Sequence, residues 1–522
     1  MRLRVCIPTA GIGSRLGLLV NHLNKSLIAV NNKPTISHQI EYFPNDTEFV
    51  IPLGYKGDIV KQFLTLAHPN KKFFFVNVKD YTSPNSGLGL SILKCKKFLQ
   101  QPFIFLSCDT LISGEIPDLK YNWMGYSKRL NPISYRTISI KDKYVECINE
   151  KGSRKKNIFP YIGLSGILDF EKFWKSMESG GKYAILQGES YGLKSLISKK
   201  IYTKEFEWFD TGNLNDLENT RKKFIKRDSP NILEKENEAI WFVGKQVIKF
   251  SADNIFIRNR VKRAKYLKGF IPNLELSKRN MYSYLKVEGD ILSEIIDDKL
   301  FYKFLDISKS FWAKKKINKT KEKNFYLSCK KFYNHKTKER IKLFYKKFDK
   351  LDKSENINGV SMPYLSDLLK NINWESLYSG IAVRFHGDFH FENVLYNKKM
   401  NKFTFLDWRQ DFDGNIEYGD IYYDLAKLLH GIIVNHSIIN KNKYEINWKN
   451  NNINFKITRK KSLIKCEKIF FQWAIKNNYD VKKIKILTSL IFLNIAPLHH
   501  HPYSLLLYAL GKEILAKELA NK

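Results

Sequence analysis

At 522 residues the chain is longer than one hydrophobic core usually serves, so two or more domains are expected. Hydrophobic residues at 43% and aromatics at 14% suffice for packed cores and exclude a disordered chain. Lysine and arginine number 89 against 52 acidic residues, and the net charge of +37 would attract nucleic acid, anionic lipid or phosphorylated metabolites. The excess is spread through Lys/Asn/Ile-rich stretches, without Arg-Gly repeats or zinc-finger spacings, so nucleotides are favoured over nucleic acid as the partner. Cys6, Cys95, Cys108, Cys147, Cys329 and Cys466 are scattered with no Cys-x-x-Cys pair, the usage of reduced thiols in a cytosolic protein. No apolar stretch of signal-peptide length precedes Pro8, and the run 486–498 is too short to span a bilayer, so a cytoplasmic protein without integral membrane contact is expected.

A short apolar run at residues 5–7 reads as a buried strand that breaks into Ala10-Gly11-Ile12-Gly13-Ser14-Arg15. Glycine at positions 11 and 13 lets backbone N–H groups approach a polyphosphate with no Cβ in the way. Arg15, Lys25 and the pair Lys33-Pro34 follow in register, and fixed cations there can offset charge that builds at an attacked α-phosphorus. Helical spacing over 33–42 and 59–66 alternates with β runs at 49–53 and 73–76, which argues for an α/β sheet with ligands at strand C-terminal ends. The glycine-rich Ser86-Gly87-Leu88-Gly89 leads into a helix through Leu99. Next, the apolar run 102–108 delivers Asp109, and an acid at such a tip costs desolvation unless it binds a cation; Mg²⁺ is the usual solution. A second carboxylate, Asp210, stands in a similar context before a Gly turn and a helix through Phe224.

This half resembles the nucleotidyltransferases that make NDP-sugars and CDP-alcohols, whose signature is an apolar strand, Ala-Gly-x-Gly-x-Arg, then Pro-Lys and Lys-Pro. Pro8-Thr9 stands where small apolar residues are usual, and Asn24 replaces the proline before Lys25; neither change removes a charge. The resemblance implies Arg15 and Lys25 as catalytic cations and Ala10, Gly11 and Gly13 as nucleotide-binding. It implies Ser86, Gly87 and Gly89 as base and ribose contacts, and Asp109 and Asp210 as Mg²⁺ ligands. It also places an acceptor phosphate compound near Gly163, Gly166 and Glu189.

The polar stretch 226–231 suggests a boundary, giving domains 1–228 and 229–522. Residues 239–243 and 247–250 read as a β-hairpin around Gly244, with Lys249 facing in; helical 254–267 and a hinge-like 281–290 follow. Residues 291–345 are mostly helical and very basic, the pattern of a solvated face. The stretch His386-Gly387-Asp388 with Asn393 five residues on, followed by an apolar run delivering Asp407-Trp408, has the spacing of a kinase catalytic loop and its metal-binding aspartate. Together they resemble the choline/aminoglycoside kinase family, which has Asp-Trp where protein kinases have Asp-Phe-Gly. The resemblance implies Asp388 as the base, Asn393 and Asp407 as metal ligands and Lys249 as a nucleotide-phosphate contact. Residues 254–274 contain no Glu to pair with that lysine, so Asp253 substitutes or the pairing is lost; no glycine-rich lid is evident. Asp411, Asp413, Asp420 and Asp424 with Trp408, Tyr422 and Tyr423 form either an acidic, aromatic wall for a cationic amino alcohol, with Trp408 and Asp411 foremost, or caps and anchors for the next helix.

The expected fold is therefore an α/β, Rossmann-like nucleotidyltransferase domain plus a protein-kinase-like α+β phosphotransferase domain. The expected activity is phosphorylation of a small hydroxyl compound with ATP, then coupling of that phosphate to a second NTP, CTP foremost, with release of pyrophosphate. The product would be a nucleotide-activated precursor for surface glycans. An anomeric sugar kinase joined to an NDP-sugar pyrophosphorylase is the alternative, and a basic nucleotide-binding scaffold with one inactive domain is the reading from another class.

Overall fold

The computed structural model describes residues 2–128, 132–225 and 235–520. The chain forms two compact units, Met1–Ile257 with Glu275–Leu285, and Arg258–Leu274 with Lys286–Lys522. The boundary expected at 226–231 lies outside the described residues.

The first unit is built on a nine-stranded mixed sheet. Its strands run in the order Lys72–Asn77, Glu48–Leu53, Arg4–Cys6, Phe103–Leu106, Ile158–Ile167, Trp123–Tyr126, Tyr202–Glu205, Tyr144–Asn149, Thr137–Lys141. The first four are mutually parallel, with Val5 opposite Phe49 on one side and Ile104 on the other. Glu48–Leu53 and Phe103–Leu106 are buried at every residue, as strands covered on both faces must be. One cover is the helix Gly57–Ala67, which turns Val60, Phe63, Leu64 and Leu66 to the core. The helix expected over 33–42 is shorter, Thr35–Ile40, because Pro34 holds its N-cap in an extended conformation. In this order the chain leaves Arg4–Cys6 toward one edge and returns to its other side at Phe103–Leu106. The crevice between the C-terminal ends of those two strands is the topological switch point where α/β sheets take ligands.

The expected hairpin is present as Glu238–Val243 and Gln246–Ser251, with Ile240 opposite Lys249, and it forms a four-stranded sheet with Met281–Leu285 and Leu274–Lys278. Its Trp241 meets Phe63 edge-on at 5.0 Å, and Ile248, Phe250 and Met281 share that core. By packing the hairpin therefore counts with the first unit, whereas the sequence pattern groups it with the residues that follow. The apolar face of Trp241 decides this.

The second unit is mainly helical. Helices Asp298–Phe311, Lys319–Lys330 and Lys336–Phe348 realise the basic stretch, the last two joined by a π turn at Lys331–His335. Ile421–Ile433, Lys461–Lys476, Val481–Ile495 and Tyr503–Ala520 supply most of the apolar packing. Between them the short pair Ala382–Val383/Gly419–Asp420 and the hairpin Val394–Asn397/Lys402–Phe405 frame residues 384–393. Phe304 lies behind that segment, within 5.4–5.8 Å of Phe389, Phe391 and Phe403, and makes its floor rigid. A fully buried ion pair, Lys512–Glu355 at 2.7 Å, ties the last helix to the strand Glu355–Ile357. Among the described residues no helix is long and apolar enough to cross a membrane, and all six cysteines are free.

Candidate active sites

In the first unit the switch point gathers the expected charges. Asp109 follows the strand Phe103–Leu106, and Asp210 ends the strand Glu207–Asp210, which pairs antiparallel with Thr110–Ser113 so that Asp210 stands opposite Thr110. That register sets side by side two carboxylates about a hundred residues apart in sequence. Gly212 lies between them: a Cβ there would come within 3.0 Å of Asp210 Oδ1, 3.3 Å of Asp109 Oδ2 and 3.4 Å of Arg15 Nη2. Lys25 Nζ meets Asp109 Oδ2 at 2.9 Å, and Ser107 Oγ donates to Asp109 Oδ1 at 2.6 Å. The Gly212 N–H donates to Asp210 Oδ1 at 2.8 Å, and Tyr135 Oη donates to Asp210 Oδ2 at 3.0 Å.

The two aspartates are electrostatically unlike. Burial would raise the Asp109 carboxyl, but Lys25, Ser107 and Arg15 bring it down to about 2. Burial and the charge of Asp109 push Asp210 up to about 6, against the Gly212 N–H and Tyr135. Two oxygen-bearing side chains converging on one glycine suit a hard divalent cation that keeps part of its shell for phosphate oxygens. Among the described residues no group of three or more His, Cys, Asp and Glu side chains is placed to hold a metal ion.

A cavity of about 230 Å³ adjoins these groups, lined by Ala10, Gly11, Lys25, Ser86, Gly87 and Ser107 among others. It unites most of the expected nucleotide contacts. Gly13 adopts φ +76°, where a Cβ would strike Lys25 Cβ at 2.9 Å, so its role is to let the lysine pass. Gly89 is not among that cavity's lining, and close packing requires a glycine there: a Cβ would come 2.0 Å from the Ala184 carbonyl oxygen. The expected acceptor residues are also closely packed. A Cβ on Gly166 would overlap Trp123 Nε1 at 2.1 Å, and one on Gly163 would meet Ser107 Cβ at 2.7 Å. Glu189 is buried at the start of the helix Glu189–Leu196, and burial raises its carboxyl to about 7.

In the second unit the segment 384–393 is held by backbone bonds at both ends. Leu406 N donates to Asn393 O at 2.7 Å and Arg409 N donates to His386 O at 2.9 Å, which brings the Asp407 segment alongside Asp388 and Asn393. Asp407 sits at φ +57°, a left-handed conformation that carboxamide and carboxylate side chains tolerate best. Asn393 Nδ2 donates to Asp388 O at 3.0 Å and to Asp388 Oδ2 at 3.1 Å. Arg260 Nη1 lies 3.4 Å from Asp407 Oδ1. Burial would raise the Asp388 carboxyl, yet Lys427, whose Nζ is 2.9 Å from Asp388 Oδ1, and then His390 hold it well below the usual range.

The acidic, aromatic wall is largely spent on folding. Asp424 accepts from the His386 and Gly387 N–H groups and from Trp312 Nε1, and Asp420 caps Ile421–Ile433 while accepting from Tyr333 Oη. Asp413 pairs with Lys331, and Asp411 Oδ1 accepts from the Gly414 N–H. Trp408 is 1% exposed and donates to the Arg260 carbonyl, which makes it a buried prop of this segment. Asp253 caps the helix that follows it through the Ile255 N–H, and Lys249 is buried on its strand in the first unit.

Several important residues lie outside every sequence motif. Buried Arg263 donates through both terminal nitrogens to the carbonyls of Arg409 and Phe385, latching the two active segments together. Lys427 carries a usable signal, being the one lysine in the largely apolar helix Ile421–Ile433. Arg409, Lys336 and Arg340 do not: they lie among dozens of other basic residues.

Comparison with known proteins divides along the same line. Residues 350–438 match the model of the phosphotransferase enzyme family. The N-terminal part is similar to the bifunctional protein GlmU of Methanococcus vannielii, 24% identical over 267 residues, covering 47% of this chain and 60% of that protein. The chain thus spans 60% of the length of the GlmU proteins that it matches. It is also similar to the D-glycero-alpha-D-manno-heptose 1-phosphate guanylyltransferase of Campylobacter jejuni, 22% identical over 191 residues, covering 33% of this chain and 84% of that enzyme. Among solved structures, the CTP:phosphocholine cytidylyltransferase of Streptococcus pneumoniae aligns at 20% identity with a TM-score of 0.37, covering 43% of this chain and 99% of that one. A nucleotidyltransferase-like N-terminal half is thus joined to a C-terminal phosphotransferase-family segment.

Proposed function

We propose that the chain is a bifunctional enzyme catalysing two consecutive steps. The second unit transfers the γ-phosphoryl group of ATP to a small hydroxyl compound; the first couples the resulting monophosphate to an NTP and releases pyrophosphate. The observation that carries this reading is the coexistence in one chain of two complete charge sets, Arg15/Lys25/Asp109/Asp210 and Asp388/Asn393/Asp407.

In the first step Asp388, kept ionised by Lys427 and His390, accepts the hydroxyl proton as its oxygen attacks the γ-phosphorus. Asn393 holds the carboxylate in line through its amide. In the second, Lys25 and Arg15 offset charge on the attacked α-phosphate, and the cavity beside Gly11 and Gly87 receives the nucleoside. Mg²⁺ bound by Asp109 and Asp210, and by Asn393 and Asp407, would supply charge neutralisation on the phosphates at each centre. CTP as the second nucleotide and a surface-glycan precursor as product are the finer parts of the reading and rest on the motif resemblance. An NDP-sugar product is the second reading, favoured because Trp408, Asp420 and Asp424, which a cationic alcohol would need, are committed to folding contacts.

The test is isotopic. With γ-labelled ATP, an unlabelled second NTP and a hydroxyl substrate, label should enter the activated product as its substrate-proximal phosphate, and pyrophosphate should leave unlabelled. A labelled monophosphate that accumulates and is refused by the first unit would show two unrelated activities.

A further inference from the structure

The surroundings of Asp388 are strongly basic. Besides Lys427, bonded to Asp388 itself, Arg409 packs against Gly387, and Lys336 on the helix Lys336–Phe348 lies within electrostatic reach of Asp388, with Arg340 one turn further along that helix. Lys336 Nζ and Arg409 Cζ both lie against the ring of Phe332, at 4.4 and 4.8 Å from its centroid. Arg409 is backed hard against the catalytic loop, where a Cβ on Gly387 would come 2.5 Å from Arg409 Cβ. Among the described residues Lys336, Arg340 and Arg409 form no ion pair, and the buried Nε of Arg409 has no hydrogen-bond partner. Asp413 of the acidic wall pairs with Lys331, and Asp388 itself pairs with Lys427.

The groups also feel one another. Burial first, then Arg409, Lys427 and Arg340, push the Lys336 ammonium down to about 7, with Asp388 pulling the other way. Phe332 belongs to the π turn Lys331–His335, a local irregularity of the kind that re-aims side chains at functional positions. Cations that converge in excess of the one carboxylate beside them raise the free energy of the fold unless a further anion offsets them. A solvated lysine face needs none of this convergence.

We infer that the hydroxyl compound accepted by the second unit is itself an anion, whose carboxylate or phosphate is held by Lys336, Arg340 and Arg409 beside Asp388. The inference rests on the kinase reading above and names its substrate class: a hydroxy acid or an already phosphorylated polyol or sugar, not an amino alcohol. The acceptor hydroxyl oxygen forms a bond to the γ-phosphorus as the bond from that phosphorus to the β–γ bridging oxygen breaks. ADP departs, and the hydroxyl proton passes to the Asp388 carboxylate and then to solvent. The acceptor anion is a spectator that fixes orientation.

The experiment uses the full chain saturated with Mg²⁺ and a non-hydrolysable ATP analogue. Calorimetry then compares matched sets: a sugar or polyol, its acid, its phosphate ester, and the amino alcohols choline and ethanolamine. An acid or a phosphate ester should bind while the neutral parent and the amino alcohols do not, and the preferred one of the two anions identifies the group. Lys336→Met and Arg340→Gln should each weaken that anion at least about tenfold while leaving the affinity for the ATP analogue, which also reports folding, unchanged. Tighter binding of an amino alcohol or neutral parent, binding of no anion in the panel, or loss of ATP-analogue affinity in the variants would overturn the inference and leave the kinase reading standing. Failure of the unmodified chain to bind the ATP analogue at all would overturn the kinase reading, and this inference with it.

Discussion

The two centres keep a carboxylate ionised by the same means and assemble it in opposite ways. In the first unit Lys25 meets Asp109 at 2.9 Å, and in the second Lys427 meets Asp388 at 2.9 Å. The Asp109–Asp210 pair depends on a strand register, Asp210 opposite Thr110, and on a glycine small enough to sit between the two acids. The Asp388–Asn393 pair is local, five residues of one loop, and only its cationic surroundings come from afar. A pair fixed by local spacing is read directly from sequence; the charges that surround it are not.

The sharpest way to separate the two regions is Asp388→Asn. It removes the proton acceptor without changing shape, and ATP-dependent phosphorylation should fall by about a thousandfold or more. Pyrophosphate release from a supplied monophosphate should persist, and equal loss of both in a folded variant would contradict the assignment of one activity to each centre. The mirror experiment is Asp109→Ala or Asp210→Ala, which should cut pyrophosphate release by roughly a hundredfold or more while ADP formation continues. A near-native rate at saturating Mg²⁺ would remove that aspartate from the site.

A third change breaks stability and leaves chemistry out of it. Lys512→Met strands the buried Glu355 carboxylate and should destabilise the second unit by about 3–5 kcal/mol. Thermal unfolding should show one transition lowered, that of the second unit, with nucleotidyl transfer at low temperature unaffected; an unchanged scan would make the pair dispensable. The smallest expected effect concerns pH. The Lys336 ammonium, held down to about 7 by burial and by Arg409, Lys427 and Arg340 against Asp388, is charged below that pH and neutral above it. Acceptor KM should therefore rise as pH rises through about 7, and the rise should vanish in Lys336→Met. Between about 7 and the ordinary lysine range the unfolded chain carries the extra proton, so this group makes stability increase with pH there. A KM that is flat with pH would show that Lys336 does not face the acceptor.

Much of the fold and of both centres is legible in the chain itself. The apolar runs before Ala10, Asp109 and Asp407 are buried strands or strand ends, and the loops after them adopt the turns that their glycines and aspartates predict. The acceptor contacts are not legible in this way. Gly163, Gly166, Glu189 and Trp408 sit at motif-like positions, yet what surrounds them is Ser107, Trp123, the interior around the helix Glu189–Leu196 and the Arg260 carbonyl, all remote or unmarked in sequence. Periodicity does not reveal which neighbour fills a gap.

Sequence alone determined the local chemistry: the Gly11–Gly13 loop, the aspartates at strand tips and the Asp388–Asn393 spacing, because covalent geometry carries each of these over a few residues. Tertiary structure decided which lone charges matter. Packing set Lys25 and Lys427 against Asp109 and Asp388, and gathered Lys336 and Arg409 around Phe332 with no ion pair among the described residues. The physical reason is that a charge acquires its meaning from burial and from the distance to other charges, and both are properties of how remote elements pack.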